Sequence, residues 1–440
     1  MTQFFHRLVA SVGLLCLAAC NTVPLDGEAP TSETTFEETS TPNPPLVHTP
    51  HTADETKLSI PPLIHFKDTP DRALAGRFAQ IRWDALPGWS QDSLEDGWQA
   101  LRNNCMGLMR PVSASQQRPN RAPPRIWHAV CTQVQQLGAN LAPEQVRAFL
   151  QQHLQPWRLL DAKGALARNT ITGYYEPLIR ASRTRAGAYQ WPLYGVPDDL
   201  LIVDLGMVHP ELSGKRVRGK LQGRRVVPYD TRADIAASPN PPPVLVWADD
   251  PVEAFFLQIQ GSGRAQLPDG TMIRLAYADH NGRPYTAIGQ WLAKQGELPL
   301  AQTSMQNIKR WAQRNPNRVL ELLHVNAAMV FFREEPVLDA ALGPNGAYGI
   351  PLMAQRAIAI DPRFVPLGTP VWLSTQWPAT STPLQRLVFA QDTGAAITGA
   401  ARADFFWGFG DAAGAQAGRM KQRGQMWVLW PKEAGAPTAR

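Results

Sequence analysis

The spacing of apolar positions changes period several times along this chain. From about 63 to 160 it is mostly helical. Leu94, Trp98, Leu101 and Cys105 form one stripe, and Trp127, Cys131 and Val134 form a second. Val146, Phe149, Leu150 and Leu154 continue the helical period behind Pro143, which stands at a helix start. Residues 113–124 are a polar loop rich in Arg and Pro. The stretch 171–179 reads as a strand that turns sharply at Pro177, and 190–280 alternates short apolar runs with Pro, Gly and Asp turns, as in a barrel or sandwich. Residues 254–263 read as one more strand, with Gln258 and Gln260 on one face and a turn at Gly261-Ser262-Gly263 that lets a ligand approach the backbone.

Helices return at 285–296, at 303–314 behind Thr303 or Ser304, and at 319–325. The end of the chain is β again: 357–360, 371–373, 387–390 and 426–430 are strand-like runs between Pro and Gly turns, which suggests a small barrel. Residues 433–440 are expected to be a disordered tail. A chain of 440 residues with 40 prolines and 33 glycines has room for about two domains and is not all-helical.

The first twenty residues have an export pattern: His6 and Arg7, then an apolar run, then Leu17-Ala18-Ala19-Cys20. The last four resemble a bacterial lipobox, with Cys20 as the lipidated first residue of the mature protein; the alternative is an ordinary signal peptide. Residues 21–62 are Pro, Thr, Ser and Glu with few large apolar side chains, so they are expected to be a disordered tether spanning about 35 Å on average. Cys105 and Cys131 remain in the mature chain. Each lies on the apolar stripe of its helix, and an oxidising compartment favours a disulfide between them over two buried thiols.

The formal charge of +6 is modest and no block of five Lys or Arg occurs, so no nucleic-acid partner is expected. The nine histidines show no metal-ligand spacing, and neither a metal nor another cofactor is expected. No G-x-S-x-G elbow is present; Gln260-Gly261-Ser262-Gly263 lacks the first glycine in register. Carboxylates remain. A strand runs into Asp392-Thr393-Gly394, and Asp404 opens the run Phe405-Phe406-Trp407-Gly408. Apolar surroundings raise a carboxyl pKa and let the group donate a proton near neutral pH. The triplet Asp392-Thr393-Gly394 is similar to that of aspartic proteases, but no second copy occurs to share the proton. Tyr174 and Tyr175 combine a flat apolar face with a hydroxyl, which suits a sugar; the plain alternative is aromatics in a sheet.

Several motifs agree in order. The lipobox, Thr172-Gly173-Tyr174-Tyr175-x-Pro177, Gln260-Gly261-Ser262-Gly263, Ser304-Met305-Gln306-x-Ile308, Phe331-Phe332, and Asp392-x-Gly394-x-Ala396-Ile397-x-Gly399 with Asp404 resemble the membrane-bound lytic murein transglycosylase A family. The C-terminal part is similar to its three-aspartate domain. The resemblance implies a mainly β fold with flanking helices: a double-psi β-barrel from 63–176 and 341–432, a second β-domain inserted at 177–340, and a substrate groove between them. It implies cleavage of peptidoglycan glycan strands by a lytic transglycosylase on the periplasmic face of the outer membrane, anchored through Cys20. Complexes for cell-wall synthesis or hydrolysis are implied partners. It assigns the three aspartates to Asp361, Asp392 and Asp404, with Asp404 as catalytic acid and then base and Asp392 in support. Tyr174, Tyr175, Gln260, Gly261, Ser262, Gly263 and Asp361 become the substrate-binding candidates, and Glu176 adds a carboxylate near the groove. A hydrolase of a related glycan and a non-catalytic wall-binding protein are the alternatives.

Overall fold

A computed structural model describes residues 58–66, 72–111, 119–161, 163–206, 208–209, 212, 216–394 and 396–439. The export segment, Cys20 and most of the expected tether lie outside these residues. Among the described residues, no helix is long and apolar enough to cross a membrane.

The N-terminal part supplies β1 (Arg77–Gln80), α1 (Gly97–Met109), α2 (Pro124–Gln136), α3 (Pro143–His153), β2 (Leu154–Leu160) and β3 (Asn169–Glu176). The middle supplies β4 (Leu178–Ser182), β5 (Trp191–Tyr194), β6 (Leu201–Asp204), β7 (Arg216–Gln222), β8 (Arg225–Pro228), α4 (Arg232–Ala237), β9 (Val244–Ala248), α5 (Pro251–Gln260), β10 (Gly263–Gln266), β11 (Met272–His280), α6 (Ile288–Lys294), α7 (Met305–Arg314), α8 (Val319–His324) and β12 (Val330–Pro336). The end supplies β13 (Leu342–Asn345), β14 (Pro351–Met353), β15 (Ala357–Ile360), β16 (Pro370–Gln376), β17 (Pro383–Asp392), β18 (Ala403–Phe409), α9 (Gly410–Arg419) and β19 (Lys421–Pro431). The fold is mixed, with a core made mostly of sheet.

Both ends of the chain build one sheet, in the order β1-β2-β19-β16-β17-β15-β18-β3. Strand β3 also pairs with β19, so β19, β16, β17, β15, β18 and β3 close into a ring. Two of its pairs, β15–β17 and β18–β3, are parallel. Closure pairs both sides of β3, which would otherwise be an open edge, and the appended β1 stays at the margin of the sheet. Side chains such as Trp372, Phe389, Phe405 and Leu429 are fully buried in the core around this sheet. Helices α1 and α2 cover this sheet and are joined by the Cys105–Cys131 disulfide, with Cα atoms 5.5 Å apart. Both cysteines are fully buried, as their positions on the apolar stripes predict.

Strand β3 leaves this sheet at Pro177, which has no N–H to continue a ladder. The chain then enters a second sheet, β12-β11-β10-β4-β9-β5. A further three-stranded sheet holds β6, β7 and β8. Helices α5 to α8 share a small core built on Phe255, Leu292, Trp311 and Leu322.

Three expectations are corrected. Residues 251–260 form a helix, not a strand. Asp250 accepts hydrogen bonds from the amides of Val252 (2.9 Å) and Glu253 (3.0 Å), Pro251 occupies the first helical position, and Gly261 ends the helix at φ +82°. A four-residue apolar run fits either period; the caps decide. Gln258 and Gln260 therefore do not share a face, and Gln258 is buried, accepting a bond from Arg232 Nη2 at 2.8 Å. The tether ends before residue 62: Leu58 is buried, its carbonyl accepts a bond from Gln135, and Pro61 O lies 2.9 Å from His128 Nε2. The tail at 433–439 is ordered by pairing with the N-terminal part. Ala439 is fully buried and exchanges both backbone bonds with Arg72. Composition cannot reveal a partner some 370 residues away in the chain.

Candidate active site

The pairing register sets out a row of residues across the barrel. Asp392 on β17 is opposite Ala359 on β15, Ala359 is opposite Asp404 on β18, Asp404 is opposite Thr172 on β3, and Thr172 is opposite Lys421 on β19. Residues opposite one another share a face of a sheet. The carboxyl-bearing residues thus lie two strand spacings apart, about 10 Å between backbones, with only a methyl group between them.

Each carboxyl is served by β3. Thr172 Oγ1 donates to Asp404 Oδ1 at 2.6 Å, and two residues along, Tyr174 donates its phenolic hydrogen to Asp392 Oδ2 at 3.0 Å. Asp392 Oδ1 also accepts from the backbone amides of Ala347 and Thr393, both at 2.9 Å. Burial pushes the Asp392 carboxyl above the ordinary value against these three donors. Burial also raises Asp404, to about 6; Thr172 and Arg402 oppose the rise and the charge of Asp392 adds to it. Tyr174 is held well above the ordinary phenol value by burial, with the charges of Asp392 and Asp404 adding. At neutral pH the site therefore offers a carboxyl poised between acid and base beside a second one with fixed contacts.

The rings near Asp404 divide between two faces. Phe405 and Trp407 meet edge to face at 5.0 Å within the core, whereas Phe406 lies 5.1 Å from the ring of Tyr174. Gly173 makes the close approach of β3 possible. A Cβ there would lie 2.6 Å from Trp407 Nε1 and 2.8 Å from the Cα of Ala417.

The remaining candidates are dispersed. Tyr175 points away from Tyr174, as alternate strand residues do; its buried ring lies against Gly414, and its hydroxyl is 3.4 Å from Met305 Sδ. Gln260 at the end of α5 accepts from the Tyr175 amide at 3.4 Å, and Gly261 and Ser262 follow it, half-buried. Gly263 is a packing glycine: a Cβ would sit 2.4 Å from Leu257 Cδ1. Asp361 follows β15 and is buried. Its Oδ2 accepts from the Gly399 amide at 2.7 Å and from Arg363 Nη2 at 2.6 Å. Burial pushes this carboxyl up, but Arg363 and the Gly399 amide outweigh it and hold it below the ordinary range. Asp361 thus pins the loop that leads from Asp392 to β18. Cavities of about 260 Å³ beside Asp92 and Arg386 and about 710 Å³ around Trp83 are lined by neither Asp392 nor Asp404.

Nothing local in the sequence marks Thr172 or Arg402 as a site residue. Thr172 opens the Thr172-Gly173-Tyr174-Tyr175 motif, but its contact with Asp404 spans 232 residues. Glu176 is another surprise. It is fully buried between Arg264 (2.8 Å) and Arg274 (2.7 Å), and both arginines also donate to Leu342 O. This triad joins the last residue of β3 to the second sheet at the point where the chain crosses over.

Comparisons with known proteins point in one direction. A family model described as the MltA specific insert domain matches residues 170–333, and one described as the 3D domain matches 356–430. The chain is 30% identical over 266 residues to membrane-bound lytic murein transglycosylase A of Escherichia coli (strain K12). That alignment covers 59% of this chain and 65% of the relative, so just under two thirds of the relative's length is matched. The monoclinic crystal structure of MltA from Neisseria gonorrhoeae is similar with a TM-score of 0.70 and 35% identity, covering 85% of this chain and 98% of that one. The crystal structure of E. coli MltA with bound chitohexaose is similar with a TM-score of 0.57 and 25% identity, covering 83% of this chain and 99% of that one.

Proposed function

The chain belongs to the membrane-bound lytic murein transglycosylase A family, and on that premise we propose that it cleaves the β-1,4 bond between N-acetylmuramic acid and N-acetylglucosamine in peptidoglycan, closing a 1,6-anhydro ring. The single observation that carries this reading is Asp404, a half-buried carboxyl with its pKa raised to about 6 and one oxygen hydrogen-bonded to Thr172.

Ordinary glycosidases use two carboxyl groups, one of them to handle water or to form a covalent intermediate. Here Asp404 gives its proton to the oxygen leaving N-acetylmuramic acid. The 6-hydroxyl of the same sugar attacks the anomeric carbon, and the carboxylate takes the hydroxyl proton. One C–O bond breaks, one forms, and the enzyme is restored. The nucleophile belongs to the substrate, so its effective concentration is high. Asp392 has its oxygens engaged by Ala347, Thr393 and Tyr174; that suits electrostatic support and not attack.

A relative crystallised with chitohexaose, a β-1,4-linked amino-sugar oligomer, supports a glycan strand as ligand. Tyr174 lines the glycan path nearest the carboxyls and the half-buried Gln260, Gly261 and Ser262 are further candidates for contact, whereas Tyr175, Gly263 and Asp361 act through packing and loop contacts behind the site. The closed ring with its parallel β3–β18 and β15–β17 pairs supports a double-psi barrel of 63–176 and 341–432, with the insert at 177–340. Cys20 anchors the protein to the outer membrane on its periplasmic face, where complexes of wall synthesis or hydrolysis are its partners.

The test is mass spectrometry of products from purified sacculi. Wild type should release anhydro ends, and Asp404→Asn should lose about 10³-fold or more of the activity, in the range of general acid catalysis. Reducing ends would make the protein a hydrolase. An unchanged effect of Asp404→Asn on sacculi would make it a binding protein.

A further inference from the structure

The Thr172 hydroxyl is held from two sides. Arg402 Nη2 donates to Thr172 Oγ1 at 3.0 Å, while Oγ1 lies 2.6 Å from Asp404 Oδ1. A guanidinium has donors and no acceptor. It can occupy an oxygen lone pair but cannot receive the hydroxyl's single proton. The carboxyl oxygen can. Arg402 is fixed in turn: Nη1 donates to Thr170 O at 3.0 Å and to Ala403 O. The residue before it, Ala401, is fully buried and adopts φ +54°, a left-handed conformation that costs an alanine roughly 1–2 kcal/mol. The backbone turn that brings Arg402 toward β3 is thus a strained one.

We propose that Arg402 is a positioning residue that orients the Thr172 hydroxyl toward Asp404 Oδ1, so that the transferable proton of Asp404 is carried on Oδ2. This rests on the reading of Asp404 as the acid. A carboxyl already accepting at Oδ1 gains most by being protonated on its other oxygen, and Oδ2 is then the atom that meets the leaving oxygen. The same arrangement restrains how far burial can raise the group, because a donated hydrogen bond and a nearby cation both favour the charged form.

The other charged and titratable groups around Asp404 are few. Asp392 lies across Ala359, Tyr174 extends from β3 toward Asp392, and Lys421, opposite Thr172 on β19, is exposed. Asp361 at the end of β15 is engaged by Arg363 and Gly399.

The experiment is the pH dependence of kcat/KM for release of muropeptides from sacculi by the full chain. An acid must be protonated, so activity falls as pH rises through its pKa. Thr172→Val and Arg402→Gln are expected to move this alkaline limb upward by about one pH unit, while Thr172→Ser keeps it in place. A merely structural role would lower the rate without moving the limb. If Thr172→Val folds poorly by circular dichroism, Arg402→Lys, which keeps the charge beside Asp404 but lacks the fork that holds Thr170 and Thr172 together, decides by the same upward shift. An unmoved limb in a folded Arg402→Gln variant overturns the proposal. Asp404→Asn is run beside them. Its inactivity together with an unmoved limb rejects only the role of Arg402, whereas retained activity rejects Asp404 as the acid and the role of Arg402 with it.

Discussion

Asp392 and Asp404 are both register partners of Ala359, one on either side of it. Two carboxyl groups so placed feel each other's charge, and that of Asp392 raises the pKa of Asp404. Asp392→Asn removes this charge. The alkaline limb of the pH–rate profile should then move downward, opposite in sign to the change expected for Thr172→Val. Turnover should fall about tenfold and not vanish, since a neutral amide still accepts from Ala347 and Thr393. Loss as complete as that of Asp404→Asn would make Asp392 a second catalytic group.

Stability gives an independent reading of Asp404. Its folded pKa is raised above the unfolded value by burial, to about 6. A group raised in this way contributes most below the unfolded pKa near 4, and the contribution is lost as pH rises through about 6. Asp404→Asn carries no such penalty. It should melt higher than wild type at pH 8, by on the order of 1–2 kcal/mol after allowing for partial solvent exposure. The difference should disappear at pH 4. Thermal melts at the two pH values check this, and equal gains at both would show that burial of the charge is not the cause.

The Glu176 triad yields a test of the crossover between the two sheets. Glu176→Ala leaves Arg264 and Arg274 buried without their counter-charge. Removing one partner of a buried ion pair costs about 3–5 kcal/mol, which urea unfolding would register as a lower midpoint. Replacing all three residues with apolar ones of similar volume should restore much of the loss.

The Cys105–Cys131 bond closes a loop with a sequence separation of 26. The chain-entropy account puts its contribution at roughly 3.5 kcal/mol. The double Cys→Ala variant should unfold at correspondingly lower urea, and reductant should have the same effect on wild type. Neither cysteine lies in the row from Asp392 to Lys421, so turnover at low temperature should be unchanged.

What could be read in advance followed the locality of its cause. The strand running into Asp392, the apolar stripes of Cys105 and Cys131, and the helix behind Ser304 are set within a few residues, and all appear in the structure. The helix at 251–260 had equally local signals in Asp250, Pro251 and Gly261; they were outweighed by a short apolar run that fits both periods. The Thr172–Arg402–Asp404 contacts had no local signal. They arise because β3 and β18 pair in parallel across the whole inserted domain, and one-dimensional patterns do not carry such a register. The buried Glu176 was read as a groove carboxylate for the same reason: its two arginines lie on β10 and β11.

The ring closure between β3 and β19 has a consequence for the protein's biogenesis. Thr172 is synthesised 232 residues before the carboxyl it serves, and the strand that closes the ring, residues 421–431, comes later still. A polypeptide still emerging from the ribosome or a translocation channel therefore holds the pieces of this site apart. The activity proposed for this site should therefore stay silent until residues 421–431 have arrived, and truncation before residue 421 should leave an inert fragment however much of the insert has folded.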